Sequence, residues 1–263
     1  MNKAAEILAG SRKVVLKIGS NVLAGEDGIL DKARVRSIVE QAMKLIESGK
    51  KVIIVSSGAG VSGAAAIGRL NRRDDINYKQ ALCAVGQVEL MMEYKKRFSE
   101  NGRVVGQILL TTENFQDEQS TLNVRNTLFT LLDEDVVPII NENDSVCIKE
   151  ISFSDNDNLA ALTTNLWNAD LLILMSDVDG VFDSNPKINP DALFIEEVSD
   201  IDKLNTEIVT DGAGRFGTGG LDSKIEAAKT VGQYGIPLLL VNGRRENVLA
   251  SVLDGGRCTI FLP

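Results

Sequence analysis

The stretch GRFGTGGLDSKIEAAK (214–229) sets Gly217, Gly219 and Gly220 ahead of a helical pattern, with Lys224 about one turn inside it. Glycines let backbone approach a ligand and a helix start offers unpaired amides, so polyphosphate is the natural guest. A flexible glycine loop is the alternative. KIGSN (17–21) closes an apolar run that Lys17 interrupts. Its ammonium either sits over an anion beside the amides of Gly19 and Ser20 or snorkels to solvent. SSGAG (56–60) closes a second such run. There Ser57 and the amides of Gly58 and Ala59 could hold a carboxylate or phosphate, or small residues could simply make a tight turn. INENDSV (140–146), with Asp144, reads as a polar binding turn or an ordinary one. FSDNDNLAAL (153–162) places Asp155, Asn156 and Asp157 at a helix start. Capping explains one of the three; the others suit a metal, or lysines to be held in place.

Other chemistries are closed off. GAGVSG (58–63) has the glycine spacing of a dinucleotide fingerprint after an apolar run. That fingerprint also needs a second strand delivering an acidic residue about 20 positions on. From Arg69 the chain instead offers Asp74 and Asp75 without a strand and then a long helical pattern, so the motif is half present. The chain contains no histidine, which rules out Ser-His-Asp and Cys-His triads and removes the commonest general base. Isolated cysteines without histidine disfavour zinc, and no metal-ligating set is assigned. Gly49-Lys50 is followed by Lys51 rather than by Ser or Thr, so there is no Walker A loop. A protein-kinase catalytic loop needs the missing histidine.

The elements that must position these residues are legible as well. Continuous apolar runs recur at 13–19, 51–57, 104–111, 136–141, 171–177, 236–242 and 258–263. Runs without alternation are buried on both faces, which predicts an open, mostly parallel sheet covered by helices, an α/β/α sandwich. Helical patterns lie between them at about 31–48, 60–69, 77–100, 120–134, 156–168, 220–234 and 245–253. Asp31 is placed to cap the first of these, Gly49 to stop it, and Asp155 and Thr218 to cap later ones. Residues 145–153 alternate like a hairpin or flap, and 187–204 read as a loop, a short strand and a polar turn. The polar residues cluster just beyond strand ends, where open α/β sheets bind ligands.

The chain of 263 residues reads as one domain, 1–263, with 44% hydrophobic and 25% charged residues. A formal net charge of −9 argues against a nucleic-acid surface. No apolar run reaches the ~18 residues of a membrane span, and the N-terminus lacks a signal-peptide core, so a cytoplasmic protein is expected. Cys83, Cys147 and Cys258 are scattered and read as reduced, buried thiols.

In order, K-x-G-S, S-S-G-A, N-E-N-D, D-N-D-x-L-x-A and G-T-G-G-x-x-x-K-x-x-A-A resemble the amino-acid kinase family, from about residue 12 to residue 263. INEND with DNDNLAAL narrows the resemblance to members acting on L-glutamate. It implies ATP-dependent phosphorylation of the γ-carboxylate of L-glutamate, the first step of proline biosynthesis, with Mg2+. Lys17 and Lys224 would neutralise the transferring phosphoryl group, and Asp157 would position them. Ser57, Gly58, Asp144 and Asn156 would bind glutamate. Lys17, Ser176, Asp177, Thr218, Gly219, Gly220, Leu221, Asp222, Ser223 and Lys224 would bind the nucleotide. Feedback inhibition by proline, a homo-oligomer (dimer or tetramer) and hand-over to glutamyl phosphate reductase also follow from the resemblance. The polar segment TTENFQDEQST (111–121) would border the glutamate pocket, so that proline bound beneath it excludes substrate.

A carboxylate nucleophile explains the missing histidine. It is already ionised at neutral pH, since a free glutamate side chain titrates at about 4.3, so catalysis is alignment plus charge neutralisation. The chain departs from the family pattern at Ser176 (usually Thr), Phe182 (usually Tyr) and Leu221 (usually Met). It also stops at Pro263, without the C-terminal PUA domain of many bacterial relatives. Two rivals stand: a family kinase acting on acetylglutamate, aspartate, carbamate or a nucleoside monophosphate, and an inactive amino-acid sensor.

Overall fold

The computed structural model describes residues 2–67, 75–146, 155–184, 186, 188–207 and 220–263. The elements run α1 (Lys3–Gly10), β1 (Lys13–Ile18), α2 (Ser20–Leu23), α3 (Lys32–Glu47), β2 (Lys51–Ser56), α4 (Ala59–Ile67) and α5 (Ile76–Ser99). Next come β3 (Val104–Leu110), α6 (Glu118–Asp133), β4 (Val136–Glu142), α7 (Asp155–Trp167), β5 (Leu171–Ser176), β6 (Val181–Phe182) and β7 (Phe194–Ile195). The rest are β8 (Glu197–Val198), α8 (Ile201–Glu207), α9 (Leu221–Gly232), β9 (Leu238–Asn242), α10 (Val248–Leu253) and β10 (Thr259–Phe261). One sheet of eight strands, ordered β3-β4-β2-β1-β5-β9-β10-β8, forms the middle layer.

Every neighbouring pair in this sheet is parallel except β9 with β10, which is antiparallel. The expectation of a mostly parallel sheet therefore holds, with the chain turning back at its last strand. Strands β1, β2, β4 and β5 are buried along almost their whole length, as continuous apolar runs require. Strand β3 lies at the edge and is only partly buried.

The period of two along β1 divides the core. Val14, Leu16 and Ile18 join α1, α3, α5 and α10 on one face through Leu8, Ile38, Leu90, Tyr94 and Leu249. Val15 points to the opposite face, where Leu128 of α6, Leu159 and Trp167 of α7, and Ile225 and Val231 of α9 pack. Lys17 is two residues beyond Val15 and so falls on the α7/α9 face. The sequence position that looked like an interruption is aimed by strand geometry.

Helix boundaries fall close to the expected ones. Asp31 caps α3 by accepting from the amides of Ala33 and Arg34, and Gly49 leaves the helix with φ +87°. Some short elements were not expected. Helices α1 and α2 precede and follow β1, β6 lies outside every expected run, and residues 187–204, read as a loop, a short strand and a polar turn, hold two short strands, β7 and β8, and the start of α8. The flap expected at 145–153 and the cap expected at Thr218 lie largely outside the described residues. Among the described residues no helix is long and apolar enough to cross a membrane.

Candidate active site

The ends of β1, β2, β4 and β5 meet the starts of α4, α7 and α9 on one edge of the sheet. At the centre is a buried knot of charge. Asp157, on α7 and 1% exposed, receives Lys17 on Oδ1 at 2.5 Å and Lys224 on Oδ2 at 3.3 Å. Lys17 and Lys224 are 5% and 9% exposed. The Ser223 hydroxyl lies 2.8 Å from Asp157 Oδ2 and 3.1 Å from the Gly220 carbonyl, and Lys224 also donates to that carbonyl at 2.6 Å. Of the two roles open to the acidic cluster, Asp157 takes that of holding lysines.

Burial pushes the Lys17 ammonium below its ordinary pKa, and Asp157 only partly offsets this. Burial pushes the Asp157 carboxyl up, but Lys17 and Lys224 outweigh it and hold the group below the usual carboxylate range. One carboxylate thus sits between two cations that also repel each other. Such an excess of buried positive charge is favourable only when more negative charge arrives.

Next to the knot lies a pocket lined by Ser20, Ser57, Gly58, Asn141, Asp144 and Asn156, with Cys83 on its wall. Asn156 adjoins Asp157 in sequence, so the pocket and the knot share the start of α7. The Asn156 Nδ2 donates to Ser57 Oγ at 2.8 Å and to Asn141 Oδ1 at 2.9 Å. Its own Oδ1 is sealed from bulk water and has no partner among the described residues. A buried, unpartnered acceptor on a residue that lines a polar pocket is one that a ligand ammonium could satisfy. The backbone amide of Ser57 donates to the Ile18 carbonyl at 3.0 Å, which ties the end of β2 to that of β1. From below, the Tyr94 hydroxyl on α5 and Ser56 Oγ share a hydrogen bond of 2.8 Å.

The glycine pattern at 58–63 now has a purpose unrelated to a dinucleotide. Gly58 has φ +107°, and a side chain there would also press on Leu23, so the strand-to-helix turn requires glycine. At Gly63 a Cβ would overlap the Leu82 carbonyl, and at Gly86 one would overlap the Ala59 carbonyl. Helices α4 and α5 thereby cross almost backbone to backbone, carrying Cys83 and Gln87 to the pocket side.

Ser176 ends β5, and its carbonyl accepts from the Gly243 amide at 2.8 Å. Asp177 follows, exposed, held at 2.9 Å by Asn21 Nδ2 and close enough to Lys17 to act on its charge. Gly220, Leu221, Asp222, Ser223 and Lys224 form the first turn of α9 and its cap, and among the described residues no side chain caps this helix. Its unpaired amides are open to an anion. Thr218 and Gly219 lie outside the described residues. Among the described residues no group of three or more His, Cys, Asp or Glu is arranged to hold a metal.

The structure brings Lys17, Asp157 and Lys224 together, and likewise Ser57, Gly58, Asp144 and Asn156. Sequence reasoning missed Asn141 and Gln87. Asn141 had a signal: an asparagine inside a strand whose neighbours are buried aliphatics. Gln87 had a weaker one, as a polar break in the helical stripe Cys83, Gly86, Leu90, Tyr94.

Comparison with known proteins places this geometry. The family model described as "Amino acid kinase family" matches residues 12–242. A protein of Alkaliphilus metalliredigens named glutamate 5-kinase is 51% identical over 97% of this chain and 97% of its own. One of the same name from Clostridium acetobutylicum is 40% identical over 100% of this chain and 99% of its own. Among solved structures, UMP kinase from Ureaplasma parvum superposes with a TM-score of 0.65 at 20% identity, covering 96% of this chain and 99% of the other. Carbamate kinase from Giardia lamblia bound to AMP-PNP gives 0.66 at 17%, covering 97% and 99%. At such identities these two attest the fold alone. The family match spans every strand of the charged knot and the pocket, and the two relatives align over 97% and 100% of the chain: this protein belongs to the amino acid kinase family, alongside the members named glutamate 5-kinase.

Proposed function

We propose that the protein transfers the γ-phosphoryl group of ATP to the γ-carboxylate of L-glutamate, giving L-glutamyl 5-phosphate and ADP, the first step of proline biosynthesis. The observation that carries this reading is the Lys17–Asp157–Lys224 knot beside a polar pocket lined by carboxamides, small residues and the carboxylates of Asp144 and Glu142. A carboxylate oxygen forms a bond to the γ-phosphorus while the bond from that phosphorus to the bridging oxygen breaks, and the electron pair leaves with ADP. No proton has to be removed, so no general base is needed. Lys17 and Lys224 offset the repulsion between carboxylate and phosphate. Asp157 aligns both ammoniums without neutralising their sum. Asn156 Oδ1 and Asp144 would accept from the substrate ammonium, while Ser57 and the Gly58 amide face its carboxylate. Ser176, Asp177 and the first turn of α9 from Gly220 to Lys224, with Thr218 and Gly219 ahead of it, would hold the nucleotide.

Magnesium fits as a passenger of the nucleotide. It is commonly held by one or two carboxylates plus substrate phosphates rather than by a protein cage, and Asp177 is the exposed carboxylate at this strand edge. The ion would draw charge from the phosphate oxygens. A hydroxamate trapping assay with ATP and a panel of glutamate, acetylglutamate, aspartate and carbamate, beside ADP release with UMP, tests the assignment. Glutamate should dominate; ADP release with another acceptor, or none at all, would overturn it.

The same reading proposes proline as a competitive inhibitor, because an end product carrying the same α-carboxylate and a cationic amine suits the same pocket. None of residues 111–121, expected from the sequence to border that pocket, is among its lining residues. Competition would therefore arise in the pocket itself, and inhibition that saturating glutamate fails to relieve would count against it. A cytoplasmic setting and hand-over of the labile acyl phosphate to glutamyl phosphate reductase belong to the same proposal. So does self-association. Val85, Val88 and Met92 on α5 and Val104 and Leu109 on the edge strand β3 are exposed apolar residues on two elements in contact.

A further inference from the structure

Behind the pocket runs a chain of carboxamides with a fixed sense. Gln87 Oε1 accepts from Asn141 Nδ2 at 2.7 Å. Asn141 Oδ1 then faces forward and accepts from Asn156 Nδ2 at 2.9 Å and from the Glu142 backbone amide at 2.9 Å. The second hydrogen of Asn156 Nδ2 goes to Ser57 Oγ. Both donors of Asn156 are thus consumed, and its Oδ1, buried beside the pocket and without a partner among the described residues, is the atom whose hydrogen bond a ligand could complete. We propose that Gln87 is a positioning residue for substrate recognition: by presenting an acceptor to Asn141, it fixes the Asn156 amide so that oxygen, not NH2, meets the substrate ammonium.

Strand geometry supports the arrangement. Val137 and Ile139 of β4 face the α5 side of the sheet, so Asn141, two residues further on, faces it as well. Gln87 reaches it from α5. A purely structural glutamine would satisfy its own polar atoms, yet Gln87 Nε2 is buried without a partner among the described residues. The side chain is oriented for what its oxygen offers, at the expense of its nitrogen. Were Gln87 to present a donor instead, Asn141 would be driven to turn, and Asn156 after it. Two N–H groups would then point at a cation. The Glu142 amide is a second anchor on Asn141, so loss of Gln87 weakens the sense of the chain without abolishing it.

This inference rests on the pocket being the amino-acid site. Initial rates with the full chain test both separately. Gln87→Met keeps length and removes the acceptor. It should raise KM for glutamate about tenfold, the scale of one hydrogen bond to a charged group. The kcat should stay within about twofold and KM for ATP should not move. Inhibition by glutarate, which lacks the ammonium, should keep its Ki. Gln87→Glu keeps an acceptor and should return KM to within about threefold of the parent. Should Gln87→Met fail to fold, Gln87→Leu carries the same expectation. An unchanged KM in a folded variant, or a Ki for glutarate that rises in step, overturns the proposal. A parent protein that does not phosphorylate glutamate sinks the functional reading instead, before Gln87 enters.

Discussion

The two ends of the site are built from different materials. The substrate end is mostly dipoles, a serine hydroxyl, glycine amides and a line of carboxamides, with the carboxylates of Asp144 and Glu142 among them and, among the described residues, no cation. The transfer end relies on three buried charges, each from a separate element, β1, α7 and α9. The difference follows the chemistry. Glutamate's α-groups carry the same charge before and after reaction, so recognising them needs well-aimed dipoles. Charge on the transferring phosphoryl group and its partners shifts during reaction, and preorganised full charges gain most there. Substitutions at the transfer end should therefore lower kcat, and those at the substrate end should raise KM.

The sharpest break of that contrast is Lys224→Ala. It should lower kcat about 10³-fold, the upper end for loss of one preorganised donor, with KM for glutamate little changed. A steady-state comparison suffices, and near-parental kcat would remove the phosphate role. Asp144→Ala is the mirror experiment. It should raise KM for glutamate about 10- to 100-fold and leave KM for ATP alone. If the ATP value rises and the glutamate value stays, the two ends have been assigned the wrong way round.

A pH profile separates the ends without mutation. Lys17 has a folded pKa below the ordinary 10.5 because of burial. It must be protonated to help, so kcat/KM for ATP, which reports the free enzyme, should fall as pH climbs through that lowered value, about tenfold per unit, starting below pH 10.5. The sign for stability is opposite. Between the folded value and the ordinary one, the unfolded chain holds the extra proton, so this group's contribution to stability rises with pH. The loss of turnover would then precede any unfolding, which circular dichroism at the same pH values would reveal. Asp157, held below the carboxylate range, stays ionised throughout.

Much of this was legible in the sequence because it is local. A lysine within an apolar run and a glycine-led helix start declare themselves over a few residues, and unbroken aliphatic runs declare a covered parallel sheet. What escaped is either too short or too distant. Helix α1 buries only Ala4, Ala5 and Leu8 over two turns, too little for a periodic signal, and α8 is short and polar. The antiparallel return of β10 leaves no mark in composition. Gln87 acquires its meaning from Asn141, 54 residues away, to which only the folded chain brings it. The glycines at 58 and 63 have the spacing of a dinucleotide turn, which the missing second strand already set aside; Gly63 instead serves a helix crossing with Gly86.

Cys83 gives the mildest test of the contrast between the two ends. The cysteines read as reduced, buried thiols, and Cys83 is indeed buried, but it stands on the wall of the pocket with its sulfur beside Gly60 at the start of α4. Burial first, then the Asp144 and Glu142 carboxylates, push its thiol up to about 12. At pH 7.5 the thiolate fraction is then roughly 10⁻⁴ or less, so alkylation should be far slower than for an ordinary cysteine. A thiol held protonated in the pocket wall serves only as a weak hydrogen-bonding group there, so a hydroxyl in its place should be tolerated. Cys83→Ser should therefore keep KM for glutamate within about threefold and kcat unchanged. Mass spectrometry of the protein treated with iodoacetamide at pH 7.5, with and without glutamate, supplies the second readout. Slow labelling in both conditions fits a thiol held protonated beside carboxylates. Rapid labelling that glutamate suppresses would mean a reactive thiolate faces the substrate, against a thiol held protonated by burial and the neighbouring carboxylates.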